Sequence, residues 1–172
     1  MAAQPTLRPS DLVVACQLAM NNDQPFLGIA AATGISSGEC HNAVRRLRIA
    51  RLILPDTRRP ATELLRRFLA DGAPFAFPPV VGAETVGVAT AHSAPPFAGL
   101  IDSRDLFVWP TAEGTTRGRS LIPLFPGAPK LLETNPQLYE LLAIVDAMRV
   151  GTARVRTIAS GLLAERLAKP AA

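Results

Sequence analysis

No apolar run in this chain approaches the ~20 residues that a bilayer-spanning helix needs, so membrane-spanning functions are not expected of it. The opening residues MAAQPTLRPSD lack a basic stretch followed by an apolar one. That argues against a signal peptide and for a cytoplasmic location. Cysteine is scarce, with only Cys16 and Cys40. Both fall on apolar helical faces, so they read as buried thiols of a reducing compartment and not as a disulfide framework. The two histidines, His41 and His92, do not complete any zinc-ligand spacing with the cysteines, so neither metal nor cofactor is expected. A Gly-x-Gly-x-x-Gly fingerprint and a Walker loop are both missing. His92-Ser93 has no carboxylate beside it to complete a triad. Asp102, Asp105 and Glu113 are scattered over an irregular region, and Thr116-Arg117-Gly118-Arg119 reads as a small basic hairpin turn. An enzyme is therefore not expected.

What is present begins with enough apolar residue, 48% of 172, to bury a core in one domain or two small ones. The net charge is only +4, but it is unevenly spread. Between residues 45 and 67, eight arginines face only Asp56 and Glu63, a local excess of +6. Such a patch on a near-neutral chain is an electrostatic footprint for a polyanion, with a solvated helix face as the plain alternative.

Local signals divide the chain. Ser10 reads as the N-cap of a first helix with Leu12, Cys16 and Leu18 on its apolar face. Pro25 fits the first position of a second helix through Ile29 and Thr33, and Gly34 ends it. Ser36 and Glu39 form a Ser-x-x-Glu capping box for a third helix, whose inner face is Cys40, Ala43, Val44 and Leu47. A short strand at residues 52–54 and the turn PDTRRP follow, then a helix over residues 61–70 that Asp71-Gly72 terminates. From residue 73 to 126, proline and glycine are dense. Strands are expected at residues 85–90, 106–108 and 119–124, the last two joined as a hairpin. The prolines there argue against a continuous central sheet. Phe97, Leu106, Phe107, Trp109 and Phe125 concentrate aromatic and apolar area, either as a core or as a pocket. Residues 129–134 give a turn and a half of helix. Asn135-Pro136 opens a strong apolar helix to residue 150, and Thr152 caps a last one over residues 153–169.

The stretch FLGIAAATGISSGECHNAVRRLRIARLI carries the most information. It places a glycine turn between two short helices, with Ala30 small where they cross. The second of them opens in serines and closes in arginines. Residues 11–60 resemble the winged helix-turn-helix domains of bacterial transcription regulators of the MarR type. The resemblance implies that the helix after the turn enters the major groove. Ser36, Ser37, Gly38, His41, Asn42 and Arg45 then point outward. Arg45 pairs with guanine and Asn42 with adenine, while the serines and the helix start hold a phosphate. Arg46, Arg48 and Arg51 lie on or near the DNA backbone, and Arg58 and Arg59 form a wing tip that is short for the family.

The later segments FAFPP, VGVATAHSAPP, FVWP, TTRGRSLIPLFPGAP and QLYELLAIVDAMRVGTARVR resemble a bacterial family of winged-helix regulators. Some of these are encoded beside toxin-like nucleotidyltransferases, which implies an autorepressor or antitoxin. The reading is an α+β protein, with a winged helix-turn-helix at residues 1–72. A Pro-rich extended/β region and a helical pair at residues 73–172 serve dimerisation or partner binding. Its expected function is sequence-specific regulation of double-stranded DNA as a homodimer. The alternative is an antitoxin-like module that neutralises a toxin-like protein partner. Paired operator half-sites make the homodimer the default, and the apolar helices at residues 136–150 and 153–169 are its expected seam.

Overall fold

A computed structural model of the chain describes residues 4–168. It is α+β. Helix α1 (Pro9–Met20) has its N-cap at Arg8, two residues before the expected cap Ser10. Pro9 is pre-set for the first helical turn, and the Asp11 carboxylate accepts the Arg8 backbone N–H at 2.9 Å. Residues 11–18 of α1 are all buried, so the helix is enclosed and not merely amphipathic. Helix α2 (Phe26–Thr33) begins one residue later than expected, with Pro25 at the N-cap position and no side-chain cap. Gly34, at φ +75°, turns the chain in the left-handed region and donates to the Ala30 carbonyl at 2.8 Å. Helix α3 (Ser37–Ile49) is capped by Ser36, whose Oγ accepts the Glu39 N–H. Cys40, Ala43, Val44 and Leu47 are its buried face, as the spacing predicts. Both cysteines are free and buried. Burial pushes the Cys16 thiol up to about 12 and raises that of Cys40, so neither is a nucleophile near neutral pH.

The expected strand at residues 52–54 is reduced to a single bridge, Ile53 to Pro60. Two further backbone bonds, Leu54 N to Arg59 O and Ala61 N to Leu52 O, complete a tight hairpin. Helix α4 (Thr62–Arg67) does not stop at Asp71-Gly72. It widens through a π turn at Phe68–Gly72 and continues as α5 (Ala73–Ala76). Leu69, Ala70 and Ala73 are buried, and Gly72 keeps a right-handed helical conformation, so packing carries the helix through the glycine.

The sheet departs furthest from expectation. Strand β1 (Val81–Thr90) is long. Its second half pairs antiparallel with β2 (Phe107–Pro110), and its first half with β3 (Thr116–Leu121). Strands β2 and β3 are parallel, Phe107 against Arg119 and Val108 against Ser120, which closes a three-stranded barrel. The expected hairpin between them is therefore wrong, and Arg117 and Arg119 belong to a strand and not to a turn. Gly87 is where the strands converge, paired with both Pro110 and Thr116.

Helices α6 (Leu131–Thr134), α7 (Pro136–Val150) and α8 (Ala153–Ala168) complete the chain. The Asn135 Oδ1 caps α7 through the Leu138 N–H, as the Asn-Pro pair predicts. Helix α7 is the axis of the core: from Leu138 to Arg149 every residue except Glu140 is buried. Asp146 and Arg149 form an ion pair inside it. Asp146 also accepts Thr90 Oγ1 at 2.9 Å and Trp109 Nε1 at 2.7 Å, and Arg149 donates to the Phe77 and Pro78 carbonyls. The expected dimer seam on α7 therefore fails, since that surface is already covered by α1, α5, β1 and α8. Helix α8 packs on it through Val155, Ala159, Leu163 and Leu167; Lys169, at the expected end of α8, lies outside the described residues. Phe97, Phe107, Trp109 and Phe125 are buried, so most of the aromatic group is core, with Leu106 half-buried beside it. No helix is long and apolar enough to cross a membrane among the described residues.

Candidate nucleic-acid interface

Helix α3 has two chemically different sides. Its inner side fixes it against α1 and α2. On its outer side, His41, Arg45 and Arg48 follow one another at four and three residues, which stacks them on a single face. All three are exposed, and Asn42 beside them is half-buried. Ser36 and Gly38 at the start of the helix are exposed, and Ser37 is half-buried. No carboxylate pairs with Arg45, Arg48 or Arg51 among the described residues. Arg48 spends one N–H on the Thr57 carbonyl at 2.6 Å.

Arg46 does not belong to this face. Its guanidinium points inward and binds Asp11 in bidentate fashion, Nε to Oδ2 at 2.8 Å and an Nη to Oδ1 at 2.7 Å, and also binds Glu39. The Asp11 side chain is fully buried and that of Arg46 is 11% exposed. The expectation that Arg46 lies on a phosphate is corrected on this ground: a guanidinium with two carboxylates has no spare charge to offer. Glu39 thereby leaves the capping box half made. Its N–H bonds Ser36, but its carboxylate serves Arg46 and Arg8. The Arg46 hydrogen bond holds the Glu39 carboxyl below its ordinary value. The one acid of α3 is neutralised, and the outer face keeps its positive sign.

The hairpin at residues 52–61 is folded back on the body. Arg58 donates Nε to the Gln24 carbonyl at 3.1 Å, and its guanidinium lies 5.4 Å from the Phe26 ring centroid. His41 packs on the same ring at 5.0 Å. Arg58 is therefore half-buried and positioned as a brace, which corrects its expected place at a projecting tip. Arg59 remains exposed, 3.6 Å from an exposed Asp23, a pair weak enough to exchange for another anion. A shallow groove of about 610 Å³ runs between α3, the turn before α2 and the tip at residues 56–59.

Two features of this region escaped the sequence reading. Gly34-Ile35-Ser36-Ser37-Gly38 has the Gly-x-Ser-x-Gly spacing of a nucleophile elbow. Here it joins two helices, not a strand and a helix, and its serine is a helix cap. The second is Arg51, a non-glycine residue at φ +63° directly after α3.

The remaining fragments do not assemble into chemistry. Ser93 Oγ accepts the Phe107 N–H and His92 Nε2 donates to the Asp105 carbonyl, so the two side chains serve different partners. Asp105 lies against Arg119 and Glu84 against Arg117. Among the described residues, no group of three metal-ligating side chains comes together. Comparison with protein-family models, with curated proteins and with solved structures returned no match.

Proposed function

We propose that this protein is a sequence-specific, double-stranded DNA-binding transcriptional regulator. Residues 9–61 act as a compact winged helix-turn-helix, with α3 as the helix that enters the major groove. One observation carries the reading. Arg45, Arg48, His41 and Asn42 share the outer face of a helix whose only acid is locked onto Arg46. A bare cationic stripe on a helix held by its other side suits a groove lined with acceptors.

Within this reading Arg45 and Asn42 touch base edges. Ser36, Ser37 and the amides at the start of α3 hold a phosphate, with Gly38 allowing close approach. Arg48 and Arg59 rest on the DNA backbone. The protein acts in the cytoplasm as a homodimer on paired half-sites, through a surface other than α7, and represses its own promoter.

The test is a gel shift on the DNA upstream of its own coding sequence, repeated at rising salt. Arg45→Ala is expected to cost about 1–3 kcal/mol on the specific site and little on random DNA. Arg48→Ala is expected to weaken both alike and to reduce the slope of log affinity against log salt by about 0.9. Equal loss on every sequence for Arg45→Ala would remove its assigned role.

A second reading has one observation behind it. Phe75 is 80% exposed, and an aromatic ring in water suits a protein interface. An antitoxin-like module that neutralises a partner would yield a stoichiometric complex from native cells, lost on Phe75→Ser.

A further inference from the structure

A large cleft lies far along the chain from α3 and shares no lining residue with it or with the 52–61 hairpin. It measures about 870 Å³, near the upper end of the ~300–1,000 Å³ usual for a small-molecule site. Its walls are the end of β1, the turns at residues 91–97, the loop at residues 101–106, the β2–β3 connection and the segment around α6.

The cleft is built in layers. Val88, Ala94 and Phe97 are buried in its floor, with Leu106 half-buried beside them. Its rim carries charge of both signs: Lys130 and Glu133 from the α6 side and Glu113 from the β2–β3 connection, all exposed. None of these three has an ion-pair partner among the described residues, in a chain where most other acids are paired. Between floor and rim stand hydroxyls whose oxygens are occupied but whose protons are spare. Ser93 Oγ already accepts the Phe107 N–H at 2.8 Å, and Thr111 Oγ1 accepts the Glu113 N–H at 3.5 Å. Tyr139 is the reverse case, since it donates to the Ala89 carbonyl at 2.7 Å and keeps a free lone pair. The chain is bent into this arrangement at some cost. Ala91, fully buried, sits at φ +52°, a strained conformation for a residue with a Cβ. That bend sets His92 and Ser93 on the wall of the cleft, where the His92 ring is tied to Asp105.

We propose that this cleft binds a short zwitterionic peptide with apolar side chains. The floor takes the side chains, and the Ser93 and Thr111 hydroxyls donate to peptide carbonyls. The Tyr139 oxygen accepts a peptide N–H, Lys130 faces the terminal carboxylate, and Glu113 and Glu133 face the terminal ammonium. A purely anionic or purely cationic ligand would leave one sign of the rim unanswered.

The experiment uses the full chain without DNA, so its outcome does not depend on the regulator reading. The probes are leucyl-phenylalanine, its N-acetyl form and its C-terminal amide. Trp109 is the only tryptophan and lies edge-on to Tyr139 at 5.7 Å, so its fluorescence reads occupancy, with the thermal midpoint as second readout. The free dipeptide is expected to raise the midpoint and change the fluorescence saturably. Removing either terminal charge is expected to weaken binding about three- to fivefold, the scale of an exposed ion pair. Lys130→Gln is expected to weaken the free and N-acetyl forms but not the amide. Glu113→Gln with Glu133→Gln is expected to weaken the free form and the amide but not the N-acetyl form. These side chains are exposed, so the fold survives the changes. Three probes of equal affinity, or no saturable response from the free dipeptide, would overturn the proposal.

Discussion

Arg51 and Glu39 sit at the two ends of α3 and pull in opposite senses. Arg51 occupies the left-handed position after the helix, where its N–H bonds the Arg48 carbonyl and the Leu52 N–H reaches back to the Leu47 carbonyl. Glycine is the usual occupant of that position, and a side chain there costs about 1 kcal/mol. Nothing in the fold repays this, since the Arg51 side chain is exposed and has no ion-pair partner among the described residues. Arg51→Gly is therefore expected to raise unfolding stability by about 1 kcal/mol in urea. Under the proposed function it is also expected to weaken DNA binding on all sequences alike, because one cation beside the end of α3 is lost. A variant both less stable and equally tight on DNA would remove the argument. Glu39 works for the fold. Its hydrogen bond from Arg46 lowers its carboxyl in the folded state. Its contribution is thus complete above the ordinary value of 4.5 and fades as pH falls through the lower folded value. Acid titration of stability is expected to show a steeper decline below pH 4.5 in the parent than in Glu39→Gln, followed by circular dichroism. Arg46 was unreadable from sequence for the same reason: its main partner, Asp11, lies 35 residues upstream, and only the folded chain brings them together.

The same contrast between local and distant signals runs through the elements. Helix α3 was legible because its cap, its inner face and the preceding glycine all act within one or two turns. The starts of α7 and α8 were legible in the same way, through Asn135 and Thr152. The barrel was not, because Trp109-Pro110 and Glu113-Gly114 make a good local hairpin signal. What decides the topology instead is backbone crowding. A Cβ on Gly87 would stand 2.1 Å from the Trp109 carbonyl oxygen, and one on Gly114 would stand 2.2 Å from Gly87 itself. These are backbone contacts that cannot rotate away. Gly87→Ala is expected to lose about 3 kcal/mol or to prevent folding, the upper end of the usual overpacking cost. Gly161, exposed in α8 with nothing within 4 Å of its Cβ position, is the control. Gly161→Ala is expected to gain about 0.5–1 kcal/mol through helix propensity alone. Similar melting shifts for the two would mean that the three strands are not closed as described.

At the scale of the whole molecule, the question is whether residues 9–61 and the barrel stand or fall together. One hydrophobic core runs from Leu12 in α1 to Leu167 in α8 without interruption. A polar seam joins the same parts. The Asn135 amide donates to Gln17 Oε1 at 2.9 Å and to the Ala32 carbonyl at 3.0 Å while its oxygen caps α7, and Gln17 in turn donates to Gln24. A core shared in this way gives one cooperative transition, because neither part can keep its buried surface when the other opens. The chain carries its own reporters. Cys16 and Cys40, both buried, report on α1 and α3, and Trp109, buried in β2, reports on the barrel. Thiol labelling and tryptophan emission followed through a urea series are expected to give the same midpoint. If thiols became reactive at clearly lower urea, α1–α3 would open as a separate unit over an intact barrel. Coincidence would mean that occupancy of the cleft beside Tyr139 stabilises α3 by the same mass action that stabilises the barrel, so a peptide bound in one half would raise the unfolding free energy of the other.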